Sequence, residues 1–300
     1  MIKAPPANGI DLVLQHANIN YDIMPPFNGM VGEPPRAIST NYARWQGIEA
    51  KEDITAEKVR ALALEKEVDV GLAPSARKLS DFKLIAFDMD STLITIECLD
   101  EIADFCGKKA EVAAITEAAM RGEIKDYAES LRRRVKFLAG LPESVLAEVY
   151  EQRLKLSPGA DTLIQACQAA GLKILLVSGG FTYFTNRLKE ELKLDFVRSN
   201  QLEIVDGKLS GEVLGEVVDA DVKRRTVLEL CAQIGCAPEQ AIACGDGSND
   251  LKMMAAVGLS IAYQAKPIVQ AQATYCINHN GLDAAIRFIE PRRPSSVPIS

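Results

Sequence analysis

Between Lys83 and Leu93 an apolar run, Leu84-Ile85-Ala86-Phe87, ends abruptly in two carboxylates one residue apart, Asp88 and Asp90, followed by Ser91 and Thr92. Four consecutive apolar residues are too few for an ordinary helix and suit a strand covered on both faces of a parallel sheet. In extended chain, side chains two apart share a face, so Asp88 and Asp90 both project toward one site past the C-terminal end of that strand. Open α/β sheets bind their ligands at that edge. Two carboxylates held close repel each other, and keeping both ionised calls for a compensating cation, most simply a hard one such as Mg²⁺. Taken alone, an acidic turn after a strand is also a common solvated feature.

The chain from Asp81 onward repeats this grammar. A helical stretch from about Glu97 to Leu156, broken at Gly107, Gly122 and Leu141-Pro142, predicts four helices joined by short turns, a block able to cap the site. A helix over 161–170 then leads to the strand Lys173 to Val177, which ends in Ser178-Gly179-Gly180. After a helix from Tyr183 to Leu192, residues 201–209 alternate around Asp206-Gly207, a strong hairpin signal. A helix from Asp221 to Ile234 precedes the buried strand Ala241 to Cys244, which ends in Gly245-Asp246-Gly247-Ser248-Asn249-Asp250. Short strands at 259–262 and 275–277, with helices near 267–271 and 283–288, complete an α/β unit whose right-handed crossovers give a parallel sheet.

Residues 1–75 differ, holding seven of the fourteen prolines, six of them in adjacent pairs at 5 and 6, 25 and 26, and 34 and 35. They predict short elements: a patch at Ile10 to Leu14, an amphipathic helix over 55–67, a short strand at Val68-Asp69-Val70, and a linker at Gly71 to Ser75. Trp45 and His16 read as packing or surface residues.

Composition excludes several classes. A net charge of −7 gives no sign of a nucleic-acid partner, and the basic cluster Arg132, Arg133, Arg134 and Lys136 is short and local. Seven scattered cysteines and two histidines indicate neither a disulfide framework nor a zinc site, but buried thiols in a reducing compartment. No apolar run approaches the ~20 residues of a membrane span and no signal segment opens the chain. A cytoplasmic protein is expected, with no membrane partner.

Three strand ends therefore carry Asp-x-Asp-Ser-Thr, Ser-Gly-Gly and Gly-Asp-Gly-Ser-Asn-Asp, and Lys223 opens the helix before the third. These are the parts of phosphoryl transfer: a nucleophile, an acid for the leaving group, cations for phosphate charge, and glycine-rich turns whose amides approach phosphate oxygens.

In these motifs, taken in order, residues 81 to 290 resemble the haloacid dehalogenase superfamily and, within it, the phosphoserine phosphatase family. The resemblance implies a Rossmannoid core (81–96 and 157–300), a helical-bundle cap (97–156) inserted after the first core strand, and a small N-terminal α/β region (1–75), regulatory or dimerising. It implies Asp88 as the nucleophile that becomes an aspartyl-phosphate, and Asp90 as general acid and base. Mg²⁺ would be held by Asp88, the Asp90 carbonyl and Asp246, with Asp250 close behind. Ser178, Gly179 and Lys223 would hold the phosphate. Glu97 matches the acid that meets the substrate amino group and Arg134 the arginine that grips its carboxylate, with Met120 and Asn249 also lining the substrate. A zwitterionic amino acid needs such an anion and such a bidentate cation, although Arg132 or Arg133 could be the inward arginine and Glu97 a first-turn helix acid. Ser248 and Lys252 depart from the family pattern without removing a catalytic group. The implied activity is hydrolysis of O-phospho-L-serine, the last step of serine biosynthesis, in a possible homodimer. The alternatives are another small phosphomonoester such as phosphoethanolamine, phosphoryl transfer to an acceptor such as homoserine, or a non-catalytic regulator that binds phosphoserine.

Overall fold

In the computed structural model, which describes residues 9–20, 22–48, 54–75, 77–120, 123–124 and 126–290 (the side chains of 37, 119 and 120 excepted), the chain forms two sheets of different character. The first comprises β1 (Ile10–Gln15), β2 (Ala37–Ser39), β3 (Tyr42–Ile48) and β4 (Asp69–Pro74), antiparallel in the order β2-β3-β1-β4, with α1 (Met24–Val31) and α2 (Ala56–Glu65) between them. Pro25 and Pro26 fall in the first turn of α1, where helix amides have no partner to lose. Leu12, Leu14, Trp45 and Val70 pack with Phe27 and Val59 of the helices. Trp45 is thus a packing residue, and His16 closes a local turn with Asn18.

Strand period two sends Asp11, Val13 and Gln15 to the opposite face, which docks on the second sheet's layer. There the Asp69 carboxylate accepts hydrogen bonds from the amides of Asn278, His279 and Asn280. Gln15 donates to the Ala284 carbonyl at 2.9 Å, and Arg44, paired with Asp11, donates to that of Arg287 at 3.1 Å.

The expected linker at Gly71 to Ser75 is corrected here. Residues 69–74 are β4, paired with β1 from Asp69 opposite Gln15 to Pro74 opposite Ile10. Gly71 is needed for close approach: a Cβ there would lie 2.8 Å from Cδ1 of Tyr275, with Phe288 just beyond.

The second sheet begins at β5 (Leu84–Phe87), buried throughout. Four helices follow, α3 (Cys98–Phe105), α4 (Lys109–Met120), α5 (Tyr127–Val135) and α6 (Ser144–Gln152), as the breaks in the sequence predicted; the break at Gly122 lies outside the described residues. Then come α7 (Ala160–Ala169), β6 (Lys173–Phe181), α8 (Thr182–Leu192), β7 (Phe196–Val205), β8 (Lys208–Leu214) and α9 (Ala220–Ile234). The chain closes with β9 (Ala241–Gly245), α10 (Leu251–Ala255), β10 (Leu259–Tyr263), α11 (Pro267–Gln270), β11 (Tyr275–Ile277) and α12 (Ala284–Ile289). The order is β11-β10-β9-β5-β6-β7-β8, parallel except for the β7-β8 hairpin. Its turn, Asp206-Gly207, has positive φ at both positions, as a type I′ turn requires. Strand β6 runs further than its apolar stretch, through the glycines to Phe181, which pairs with Asn200 after a register shift. From β5 the chain winds outward one way through β6 and β7, then crosses to build β9, β10 and β11 on the other side. The C-terminal ends of β5 and β9 thus form a topological switch point, where such sheets bind ligands. No helix among the described residues is long and apolar enough to cross a membrane.

Candidate active site

Asp88 leaves β5 with its amide bonded to the Cys244 carbonyl of β9 at 2.9 Å. The chain then makes a wide turn in which Leu93 and Ile94 donate to the carbonyls five residues back, those of Asp88 and Met89. Ser91, at its centre, has φ +54, a left-handed conformation uncommon for a side-chain-bearing residue and concentrated at functional sites. The turn folds Ser91 back so that its hydroxyl donates to Glu97 at 2.7 Å, and the Asp90 carboxylate accepts from the Cys98 amide at 3.4 Å. Asp88, Asp90 and Glu97 are thereby gathered at one edge of the sheet, Glu97 at its exposed lip.

The third strand end supplies Asp246 and Asp250. Carboxylate oxygens of Asp88, Asp246 and Asp250 lie within 4.8 Å of one another. Asp219 caps α9 by accepting from the amides of Asp221 and Val222, which seats Lys223 in the helix's first turn. Lys223 is fully buried, its Nζ 2.8 Å from Asp88 Oδ1 and 2.7 Å from Asp250 Oδ1. Burial disfavours its ammonium, but Asp250 and Asp88 outweigh that and hold its pKa well above the ordinary lysine range. Burial, reinforced by Asp88 and opposed by Lys223, pushes Asp250 up to about 7. Burial and Asp88 likewise raise Asp246, against a hydrogen bond from Thr92 at 3.1 Å. Among the described residues one ammonium, that of Lys223, is in direct ion-pair contact with this cluster of three carboxylates, while Lys266 acts on Asp246 from further off, so negative charge is in excess, and the donors are all hard oxygens. A divalent cation of the Mg²⁺ type fits both facts. The Asp90 carboxylate stands outside this cluster, and burial, then Glu97, raises its pKa strongly.

These shifts have a measurable consequence. A carboxyl whose folded pKa is raised stabilises the fold below its unfolded pKa and loses that contribution as pH rises through the folded value. Without metal, Asp250 therefore costs stability as pH climbs from about 4 to about 7. Binding of a divalent cation requires the ionised acids. Mg²⁺ at roughly a hundredfold its dissociation constant should stabilise the protein by about 2.7 kcal/mol near pH 8 and by much less near pH 5, compared with EDTA. Melting curves at the two pH values measure this; an equal shift at both would exclude the acidic cluster as the binding site.

The second strand end lies against the first. Ser178 is buried at the end of β6 and its hydroxyl accepts from the Gly180 amide at 2.9 Å. A Cβ on Gly180 would meet Met89 Cε at 2.5 Å and stand 3.1 Å from Asp90 Oδ2, and one on Gly179 would collide with the Tyr127 hydroxyl. Gly180 therefore brings bare backbone up to Met89 and Asp90, and Gly179 brings it up to Tyr127. Asn200 fixes it from behind, donating to the Gly179 carbonyl at 2.7 Å and accepting from the Val218 amide at 2.8 Å.

Among the three consecutive arginines of α5, Arg132 donates to the carbonyls of Val213 and Gly215, and Arg133 pairs with Glu129 in solvent. Arg134 is half-buried, and its Nε is buried with no hydrogen-bond partner among the described residues. Its charge acts on Asp100 of α3 and on Tyr127. Asn249 is half-buried in the turn after β9 with its Oδ1 close to Gly247, and Ser248 is exposed beside it. The Met120 side chain lies outside the described residues. Sequence reasoning passed over Tyr127, whose hydroxyl meets Gly179 and whose pKa burial raises against Lys223 and Arg134. A signal existed: Tyr127 precedes Arg134 by seven residues, two helical turns on the same face. Asn200 carried none.

The model of the haloacid dehalogenase-like hydrolase family matches residues 85–255. A phosphoserine phosphatase of Polaromonas sp. is 59% identical over 225 residues, 74% of this chain and 95% of the relative. The crystal structure of a probable phosphoserine phosphatase from Vibrio cholerae superposes with a TM-score of 0.78 at 36% identity, over 96% of this chain and 88% of that one. A substrate-bound phosphoserine phosphatase complex superposes with a TM-score of 0.65 at 38% identity, over 70% of this chain and 99% of that one. With a family model over more than half its length and relatives of this identity and coverage, the chain belongs to the haloacid dehalogenase-like hydrolases and, among them, to the phosphoserine phosphatase family.

Proposed function

We propose that this chain hydrolyses O-phospho-L-serine to L-serine and phosphate, with residues 81–96 and 157–300 as catalytic core and α3 to α6 as a cap that excludes water. The observation that carries the choice of substrate is Arg134: a guanidinium nitrogen buried without a hydrogen-bond partner among the described residues, on the helix whose Tyr127 meets the Ser178-Gly179-Gly180 turn. It offers a bidentate grip for a carboxylate, while Glu97 offers an anion for the amino group. The names of the relatives support the same reading.

In this mechanism Asp88 attacks phosphorus in line and the bond to the serine oxygen breaks, Asp90 giving that oxygen its proton. Its raised pKa suits a group that must arrive protonated. Asp90 then takes a proton from the water that attacks the aspartyl-phosphate, releasing phosphate and restoring Asp88. Ser178, the Gly179 backbone and Lys223 bind the phosphate oxygens throughout, and Lys223 keeps Asp88 from being repelled by its neighbours. Asp88, the Asp90 carbonyl and Asp246, with Asp250 behind, would hold Mg²⁺, which would supply further neutralisation of phosphate charge.

The test is phosphate release from L-phosphoserine, phosphothreonine, phosphoethanolamine and p-nitrophenyl phosphate, with Mg²⁺ and with EDTA, alone and with homoserine added. Mg²⁺-dependent preference for L-phosphoserine is expected; a phosphorylated homoserine product would make the chain a transferase. Losing a charge-assisted contact worth about 1.5–3 kcal/mol, Arg134→Ala should lower kcat/KM for phosphoserine roughly 10–100-fold. For p-nitrophenyl phosphate, which has no carboxylate, the change should be small. Equal losses on both would remove Arg134 from carboxylate recognition.

A further inference from the structure

Helix α9 ends in a Schellman motif. The Cys236 amide donates to the Cys231 carbonyl at 2.9 Å, the Gly235 amide to that of Ala232 at 3.2 Å, and Gly235 is left-handed at φ +72. In this motif the residue after the glycine and the residue five positions before it bring their side chains into contact. Here both are cysteine. Cys231 is 1% exposed, packed in the core beneath α9 with Val227, Leu230 and Met253, while Cys236 is half-buried at the edge of that cluster. The nearness of the thiols is also felt electrostatically, since burial and then the Cys236 thiol push Cys231 up to about 12. A direct backbone hydrogen bond between the two residues is compatible with the Cα separation of about 4.4–6.8 Å that a disulfide needs. The other partly exposed cysteines, Cys106 and Cys276, turn their Sγ toward the backbone carbonyls of Ala103 and Gln270.

We propose that Cys231 and Cys236 form a reversible dithiol–disulfide site, in which Cys236 meets a peroxide oxidant and Cys231 resolves the product. Cys236 gives up its proton and the thiolate attacks the peroxide oxygen that carries hydrogen; the O–O bond breaks and the second oxygen takes up the released proton and leaves as water or an alcohol, giving a sulfenic acid. The Cys231 sulfur then attacks Cys236 sulfur, the S–O bond breaks, and the Cys231 proton leaves with the hydroxide as water. Two thiols have given two electrons to one peroxide. The alternative for an exposed thiol is irreversible oxidation to sulfinate, which would set a charge against the apolar cluster that seats α9. Because α9 carries Lys223 in its first turn, a bridge at its last turn would keep that helix seated under oxidation.

The experiment treats the full chain with hydrogen peroxide, unfolds it, alkylates the free thiols and maps them by peptide mass spectrometry before and after dithiothreitol. Cys231 and Cys236 should lose alkylation together in one linked peptide, and both should regain it on reduction. Cys106 and Cys276 should form no linked peptide. In Cys236→Ala, whose substituted position is not in the packed core, Cys231 should stay alkylatable after peroxide. Sulfinate at Cys236 with Cys231 still free in the native chain would overturn the proposal. So would linkage between two copies through Cys236, or full alkylation of both cysteines.

Discussion

Asp88→Asn should lower phosphate release by roughly 10⁴–10⁶-fold, the loss seen when a nucleophile acting within a catalytic unit is removed, with no loss of fold. The amide is nearly isosteric, and its oxygen can still accept from the Met89 amide at 2.7 Å and face the Lys223 ammonium. What it would lack, on the proposed mechanism, is the negative charge for attack on phosphorus and an oxygen able to form a hydrolysable acyl phosphate. Stability should move the other way. Among Asp88, Asp246 and Asp250 one negative charge disappears, so in EDTA repulsion falls and the variant should melt no lower than the native chain. Active sites commonly trade stability for chemistry in this manner. Single-turnover phosphate release, with circular dichroism and melting curves on the same preparation, reads both halves. Retained turnover in well-folded Asp88→Asn would falsify the assignment of the nucleophile. A variant that melts much lower would instead show Asp88 to be a structural acid.

What was legible in the sequence was what local pattern encodes. The length of the Leu84–Phe87 run gave a doubly covered strand, and the two-residue spacing put Asp88 and Asp90 on one edge. Asp206-Gly207 announced its hairpin because both positions need positive φ. The misreading at Gly71 to Ser75 has a nonlocal cause: glycine and proline are turn signals, but this glycine answers to Tyr275 and Phe288, far along the chain. Pro74 is tolerated because β4 is an edge strand, paired on one side only. The three arginines of α5 could not be ranked by sequence alone. Contacts from other elements claim Arg132 through the carbonyls of Val213 and Gly215, while Glu129 claims Arg133. Tyr127 shares the helix face of Arg134, but the contact that gives it a place in the site joins α5 to the end of β6, which that spacing does not encode. The Cys231–Cys236 contact, by contrast, is local, but it is visible only when Gly235 is read as a left-handed helix end.

Lys223→Met tests how far the acidic site depends on one buried cation. The methionine roughly fills the lysine stem's volume, so the change removes charge more than packing. Asp88 and Asp250 would then face Asp246 with their shared ammonium gone. Breaking a buried pair by deleting one partner costs about 3–5 kcal/mol, and that is the destabilisation expected in EDTA at neutral pH by chemical denaturation. The deficit should shrink as pH falls, because protonation neutralises carboxyls that burial already disfavours as anions. It should shrink also with Mg²⁺, which supplies the missing charge. Adding Asp250→Asn removes the orphaned acid, so the double variant should regain much of the lost stability, a coupling of the size contacting residues show, about 0.5–3 kcal/mol. Strict additivity of the two substitutions would mean that the Lys223–Asp250 contact supports nothing. Turnover should separate from stability: with no ammonium for the phosphate oxygens, both single and double variants should stay roughly 10²–10³-fold down, the cost of losing one preorganised stabiliser of transition-state charge. A double variant that regained turnover along with its fold would take Lys223 out of phosphate binding and leave it only the task of holding the acids together.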